Sequence, residues 1–148
     1  MGKKYKAFIV EEVEKSIFKS TITDRNIDEL PEGDVLIRVH FSALNYKDAL
    51  SSSGHKGITR RFPHQPGIDA SGVVEEDKSR NFNVGDEVLV TGYDLGMNTA
   101  GGFGQYIRVS AGWVVKKPDN LSLREAMILG TAGFAAGLAI YALQTNAV

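Results

Sequence analysis

The sequence predicts a mainly β domain with some α, of the barrel or sandwich kind, passing into helix near its C-terminal end. Short runs of alternating apolar residues recur between turn signals over the first two-thirds of the chain, and one of them, 35–41, has strict period two. After Pro118-Asp119-Asn120 the composition changes, and a long uncharged run begins.

The elements follow in order. Residues 5–10 and 16–22 read as a strand pair, and Pro31-Glu32-Gly33-Asp34 is turn chemistry that restarts the chain. In the strand that follows, Val35, Ile37, Val39 and Phe41 share the core face, while Leu36, Arg38 and His40 face outward. Residues 45–50 form one or two helical turns and 51–57 a flexible loop. Further strands are expected at 70–75, 87–90, 105–109 and 113–116, separated by turns at 83–86 and 100–104. Ser122 with Glu125 three residues later is a capping box, so a helix starts near Leu123. From Ala126 to Leu143 no residue is charged, and Gly130, Gly133 and Gly137 punctuate the run. Its length admits a membrane span, but it lacks basic or Trp anchors and opens in a soluble-type cap. The expected arrangement is one or two helices packed closely against a sheet or another helix, the glycines allowing short backbone separations.

Bulk composition narrows the function classes. The chain has 148 residues, 17 basic and 18 acidic side chains and a formal net charge of -1, so no concentrated positive field points to nucleic acid or an anionic membrane. Zero cysteines exclude disulfides and thiolate-bound zinc and agree with a reducing cytoplasm. The basic N-terminus leads to an apolar run too short for a signal peptide, and Lys6 stands where a myristoylation motif needs Ser or Thr.

Two short signatures could carry chemistry. Asn45-Tyr46-Lys47-Asp48 groups an amide, a phenol, an ammonium and a carboxylate just after a strand. An amide can hold a carbonyl oxygen, and a phenol or lysine can deliver a proton. The competing reading is a solvated turn in which Asp48 caps a backbone group. Pro66-Gly67-Ile68-Asp69-Ala70-Ser71-Gly72-Val73-Val74 turns into a strand and places the Asp69 carboxylate in apolar company, where it must be paired or shift its pKa. Its competing role is a structural pair with a lysine or arginine. His40, His55 and His64 lack zinc-site spacing and read as surface residues. Lys56, Arg60 and Arg61 make one loop locally basic, either to meet a ligand's phosphate or carboxylate or simply as a solvated loop. Neither Gly101-Gly102-Phe103-Gly104 nor the glycines at 130–137 have dinucleotide-loop spacing.

Taken together, Leu30 to Val35, Leu44 to Leu50, Phe62-Pro63, Pro66 to Asp69, Gly85-Asp86-Glu87-Val88, Ala126-Met127-Ile128 and Gly130 to Phe134 resemble the N-terminal part of the medium-chain dehydrogenase/reductase superfamily. The likeness is to its zinc-free YhdH/YhfP-type quinone oxidoreductase and acrylyl-CoA reductase group. The resemblance implies a GroES-like β-barrel over residues 1–120. It assigns 121–148 to the helical start of a Rossmann domain that would continue beyond them, so these residues alone would be catalytically incomplete. In zinc-dependent relatives a cysteine occupies the place of Asn45 and a histidine that of Ile68, so the resemblance implies no metal site. It further implies a cytoplasmic, homo-oligomeric enzyme that uses NADPH to reduce a small-molecule substrate, a quinone or an α,β-unsaturated acyl thioester. Asn45 and Asp69 would line the catalytic cleft, with Tyr46 and Lys47 orienting substrate or supplying a proton. Arg60 and Tyr46 would bind substrate, and Thr131 would contact the nicotinamide end of the cofactor. Ala135 stands where many relatives carry a threonine. The alternatives are a non-enzymatic GroES-like module that assembles with itself or a partner, and a domain anchored in a membrane through residues 126–143.

Overall fold

The computed structural model describes residues 2–146. β1 (Lys4–Glu14) and β2 (Ile17–Asn26) form an antiparallel hairpin. A second sheet has the order β6-β3-β4-β5-β7, built from β3 (Val35–Phe41), β4 (Asp69–Asp77), β5 (Glu87–Thr91), β6 (Tyr106–Val109) and β7 (Val115–Lys116). All its neighbours are antiparallel. The hairpin is fastened to loops of this sheet by backbone bonds: Phe8 N–H donates to Phe103 O at 2.8 Å, and Val10 and His64 exchange a pair at 2.8 Å each. Helix α1 (Tyr46–Ser52) follows β3, and α2 (Leu123–Thr145) ends the described chain.

Two apolar layers result. On one face of the sheet Val35, Ile37, Val74, Val88, Val90, Ile107 and Val109 are buried together. On the other, Leu36 and Tyr106 pack with Tyr5, Ala7 and Ile9 of β1. Each fully buried Val, Leu or Ile contributes about 1.5–3 kcal/mol, so β3, with Val35 and Ile37 in one layer and Leu36 in the other, joins the two layers.

Several expectations need correction. Leu36, expected to face outward, is buried because the hairpin covers that face of β3. Phe41, expected in the core, is 41% exposed: the β3–β4 register shifts between Val39 and Phe41, and such a bulge turns the strand end away from the core. The helix after β3 runs through Ser52, so the loop begins later than the sequence indicates; Ser51 is buried, its hydroxyl 2.7 Å from that of Thr59. The last strand is only two residues long, because Trp113 belongs to a short 3-10 turn and stacks on Tyr93.

The helix beginning at Leu123 has the expected cap, with the Ser122 hydroxyl accepting from Glu125 N–H at 3.2 Å. It is broken at Gly130, whose φ of 50° and ψ of -157° are not helical. Leu123, Ala126, Met127 and Gly130 are buried against the sheet. Residues 131–145 project away, with Phe134, Leu138, Ile140, Tyr141 and Leu143 exposed, so close packing through Gly137 does not occur and, beyond the helix's own backbone, nothing lies within 4 Å of a Cβ placed there. By length and composition α2 could cross a bilayer, with mean hydropathy 1.8 over its most apolar window. Its first turns and its break are instead tied to β4.

Candidate functional site

β4 begins at Asp69, directly after the turn 66–68, and the period of two puts Asp69 and Ser71 on the same face, toward α2. The Ser71 hydroxyl donates to Leu123 O at 2.8 Å. Asp69 is 0% exposed and accepts three hydrogen bonds, from Asn45 Nδ2 at 2.8 Å, Thr131 N–H at 3.0 Å and the Thr131 hydroxyl at 2.6 Å. It forms no ion pair with a lysine or arginine among the described residues, so the competing role as a partner of such a cation is not seen there. The carboxylate lies at the first N–H after the break of α2, where unpaired donors and the helix dipole favour a negative charge.

Asn45 precedes α1. Its backbone N–H donates to Asp48 Oδ2 at 2.8 Å, and Ile68 N–H donates to Asp48 Oδ1 at 2.9 Å. Asp48 therefore has the backbone-capping role, joining the start of α1 to the turn before β4. Burial pushes its carboxyl above the ordinary carboxylate range, opposed by the N–H groups of Asn45 and Ile68 and reinforced by the charge of Asp69.

In front of Asn45 lies an open cleft of about 530 Å³ lined by Phe8, Leu44, Asn45, Asp48, Ala49, Ser52 and Phe103. Its surface is almost wholly apolar, and Phe8 and Phe103 meet edge to face at 6.3 Å. The Asn45 amide is thus a neutral polar group at an apolar wall, and Asp69 stands behind it, beyond direct reach of a ligand in the cleft. Tyr46 is 80% exposed and Lys47 is exposed, both in the first turn of α1. Arg60 lies on a separate cleft with Glu11, Glu12, Val13, Arg61, Phe62 and Pro63, and its backbone N–H donates to Asn98 Oδ1 at 3.3 Å.

His64, expected at the surface, is buried: Nε2 lies 2.8 Å from Gly96 O, so it is the protonated nitrogen, and burial holds the ring's pKa below its ordinary value. Among the described residues no three His, Cys, Asp or Glu side chains are grouped to hold a metal ion. Sequence reasoning missed Phe8, Leu44 and Phe103, which come together only through the hairpin and the 101–104 turn. It also missed the requirement for glycine at 130, although a glycine just before a threonine within a helical pattern was a signal.

Comparison with known proteins agrees with this architecture. The alcohol dehydrogenase GroES-like domain family matches residues 31–119. Acrylyl-CoA reductase AcuI of Ruegeria pomeroyi is 38% identical over 143 residues, covering 96% of this chain and 43% of its own length. The yhdH oxidoreductase of Salmonella enterica, solved in complex with NADP, superposes with a TM-score of 0.90 at 43% identity, covering 95% of this chain and 43% of that one. Bacillus subtilis yhfP, solved with NAD bound, gives a TM-score of 0.92 at 38% identity over 99% of this chain and 44% of that one. The chain therefore spans about two-fifths of the length of the curated relatives it matches. With its barrel, its helical exit and these likenesses, the chain belongs to the alcohol dehydrogenase GroES-like domain family, within the medium-chain dehydrogenase/reductase superfamily.

Proposed function

We propose that this chain is the substrate-side domain of an NADPH-dependent, zinc-independent reductase that reduces a quinone or an α,β-unsaturated acyl thioester. The observation that carries the reading is the Asn45 amide, held by a buried carboxylate at the wall of an apolar cleft. A neutral amide at an apolar wall suits an uncharged conjugated carbonyl. Asn45 Nδ2 has a second N–H beyond the one given to Asp69, and this donor holds the substrate's carbonyl oxygen as negative charge develops there. Tyr46 and Lys47, at the exposed start of α1, orient the substrate or return a proton to the enolate. Arg60 meets an anionic part of a long substrate.

The residues present fit one end of the cofactor only. Among the described residues there is no strand, glycine loop and helix to seat a pyrophosphate, and Gly101, Gly102 and Gly104 are packed against Gly67, Asp69 and Gln65. Thr131 gives its hydroxyl proton to Asp69 and keeps lone pairs to accept from a nicotinamide amide. NADPH, when bound, supplies the hydride.

We place the division at 1–120 for the barrel and 121–148 for the start of the nucleotide-binding domain. The exposed apolar residues of 131–145 are then surface for that domain, and in its absence for self-association into a homo-oligomer. The test is Asn45→Ala in the complete reductase: kcat/KM for crotonyl-CoA or a quinone falls by about a hundredfold, in keeping with the loss of one such donor, a larger loss than the drop of a few degrees in melting temperature expected from the missing bond to buried Asp69. Parallel losses of activity and melting temperature refute the assignment.

A further inference from the structure

Asp69 has two properties that are hard to reconcile with a group reacting in the cleft. It is 0% exposed, and three donors from two other segments already occupy its oxygens. A buried carboxylate without a cation is unfavourable unless its lone pairs are met by hydrogen bonds, and here they are met by the cleft's amide and by the start of residues 131–145. We propose that Asp69 is a positioning residue, a latch that fixes the Asn45 amide and the second segment of α2 together, so that the place of the helix and the orientation of the amide are set by one carboxylate. The proposal rests on the reading of Asn45 as the group that holds the substrate's carbonyl.

Three features support it. Asp69 accepts and cannot donate, so Asn45 must turn Nδ2 toward it; a flipped amide would set its oxygen against an anion. Gly130 makes the latch possible, because a Cβ at that position would stand 2.8 Å from Asp69 Oδ2 and 3.3 Å from Ala43 Cβ. β4 also grips α2 on the other side of the break, through Ser71 and Leu123 O, and that grip leaves Asn45 untouched. Moving residues 131–145 therefore breaks the Thr131 bonds and loosens the amide, while the first turns of the helix stay in place.

Two variants separate positioning from chemistry. In Asp69→Asn the amide oxygen can keep the bonds from Asn45 and Thr131 N–H, and the Thr131 hydroxyl can turn to accept from the new NH₂, so the geometry survives without the charge. Asp69→Ala removes all three bonds. The readout on the chain itself is NMR of the Asn45 side-chain amide and hydrogen exchange of Thr131 N–H. Asp69→Asn keeps wild-type-like Asn45 signals and Thr131 protection, whereas Asp69→Ala loses both. Thr131→Val, which touches only the helix side of the latch, still shifts the Asn45 signals.

In the complete reductase, Asp69→Ala lowers kcat/KM about a hundredfold, mostly through kcat, as a misplacement of order 1 Å does. Asp69→Asn retains activity to within about tenfold, and Asp69→Ala adds little to Asn45→Ala in the double variant. An Asp69→Asn enzyme as inactive as Asp69→Ala, or unmoved Asn45 signals in Thr131→Val, overturns the latch. Absence of any reductase activity in the wild type overturns the assigned function instead, and the NMR arm still decides the latch. If Asp69→Ala does not fold, Asp69→Asn and Thr131→Val carry the decision.

Discussion

Replacing Gly130 by alanine should damage the fold and the site together. At φ 50° and ψ -157° the backbone is in a region that side chains avoid, at a cost of about 1–3 kcal/mol. The new Cβ would also press on Asp69 Oδ2 at 2.8 Å inside a buried hydrogen-bond cluster, and overpacking of that kind costs about 1–3 kcal/mol more. Taking about 3 kcal/mol for the sum and about 2–4 °C per kcal/mol for a domain of this size, the melting temperature drops by about 6–12 °C. Gly137→Ala is the control in the same helix. Beyond the helix's own backbone, nothing lies within 4 Å of its Cβ position, so the substitution should stabilise by up to about 1 kcal/mol through helix propensity. Paired thermal and urea unfolding of the two variants measures both. Equal effects, or a Gly130→Ala protein within about 0.5 kcal/mol of wild type, refute the reasoning that the break is a required feature.

Other outcomes follow from the same geometry. His64 is held neutral by burial, with its pKa below the ordinary 6.5, so the unfolded chain takes up the proton first. Its stabilising contribution is complete above that ordinary value and is lost as pH falls through the folded value. Urea midpoints should therefore decline between about pH 7 and pH 5, and His64→Gln should flatten the slope; an unchanged slope contradicts the assignment. Arg60→Ala in the complete reductase should raise KM for an acyl-CoA by about tenfold with kcat preserved, and should leave a small neutral quinone unaffected. A fall in kcat for both substrates would place Arg60 in another role. The exposed Phe134, Leu138, Tyr141 and Leu143 should drive concentration-dependent association of this chain in sedimentation, reduced by Leu138→Lys with Leu143→Lys. A monomer at every concentration argues against it.

The sequence revealed the parts of the fold that depend on local pattern. The alternation in 35–41, the turn at 31–34 and the Ser122 cap each have a local cause and appear where that cause puts them. Leu36 and Phe41 did not follow the alternation, because what covers the second face of β3 is a hairpin far away in sequence and what turns Phe41 outward is a bulge set by β4. His64 was misread for the same reason: its burial comes from the backbone at Gly96. In the site, the two signatures identified Asn45 and Asp69 as special without indicating that they touch each other. The third member, Thr131, lies 62 residues beyond Asp69, and only the break at Gly130 brings its N–H and hydroxyl to the carboxylate. The cleft wall of Phe8 and Phe103 likewise belongs to tertiary structure alone.

We propose that this domain presents a conjugated carbonyl to NADPH without a metal. The most direct measurement is substrate-dependent NADPH oxidation by the complete reductase after exhaustive treatment with a strong chelator, using crotonyl-CoA and a simple quinone. Reduction of at least one of them should persist undiminished in the chelator and fall about a hundredfold in Asn45→Ala. Loss of activity on chelation with recovery on adding zinc, or activity indifferent to Asn45, would contradict it.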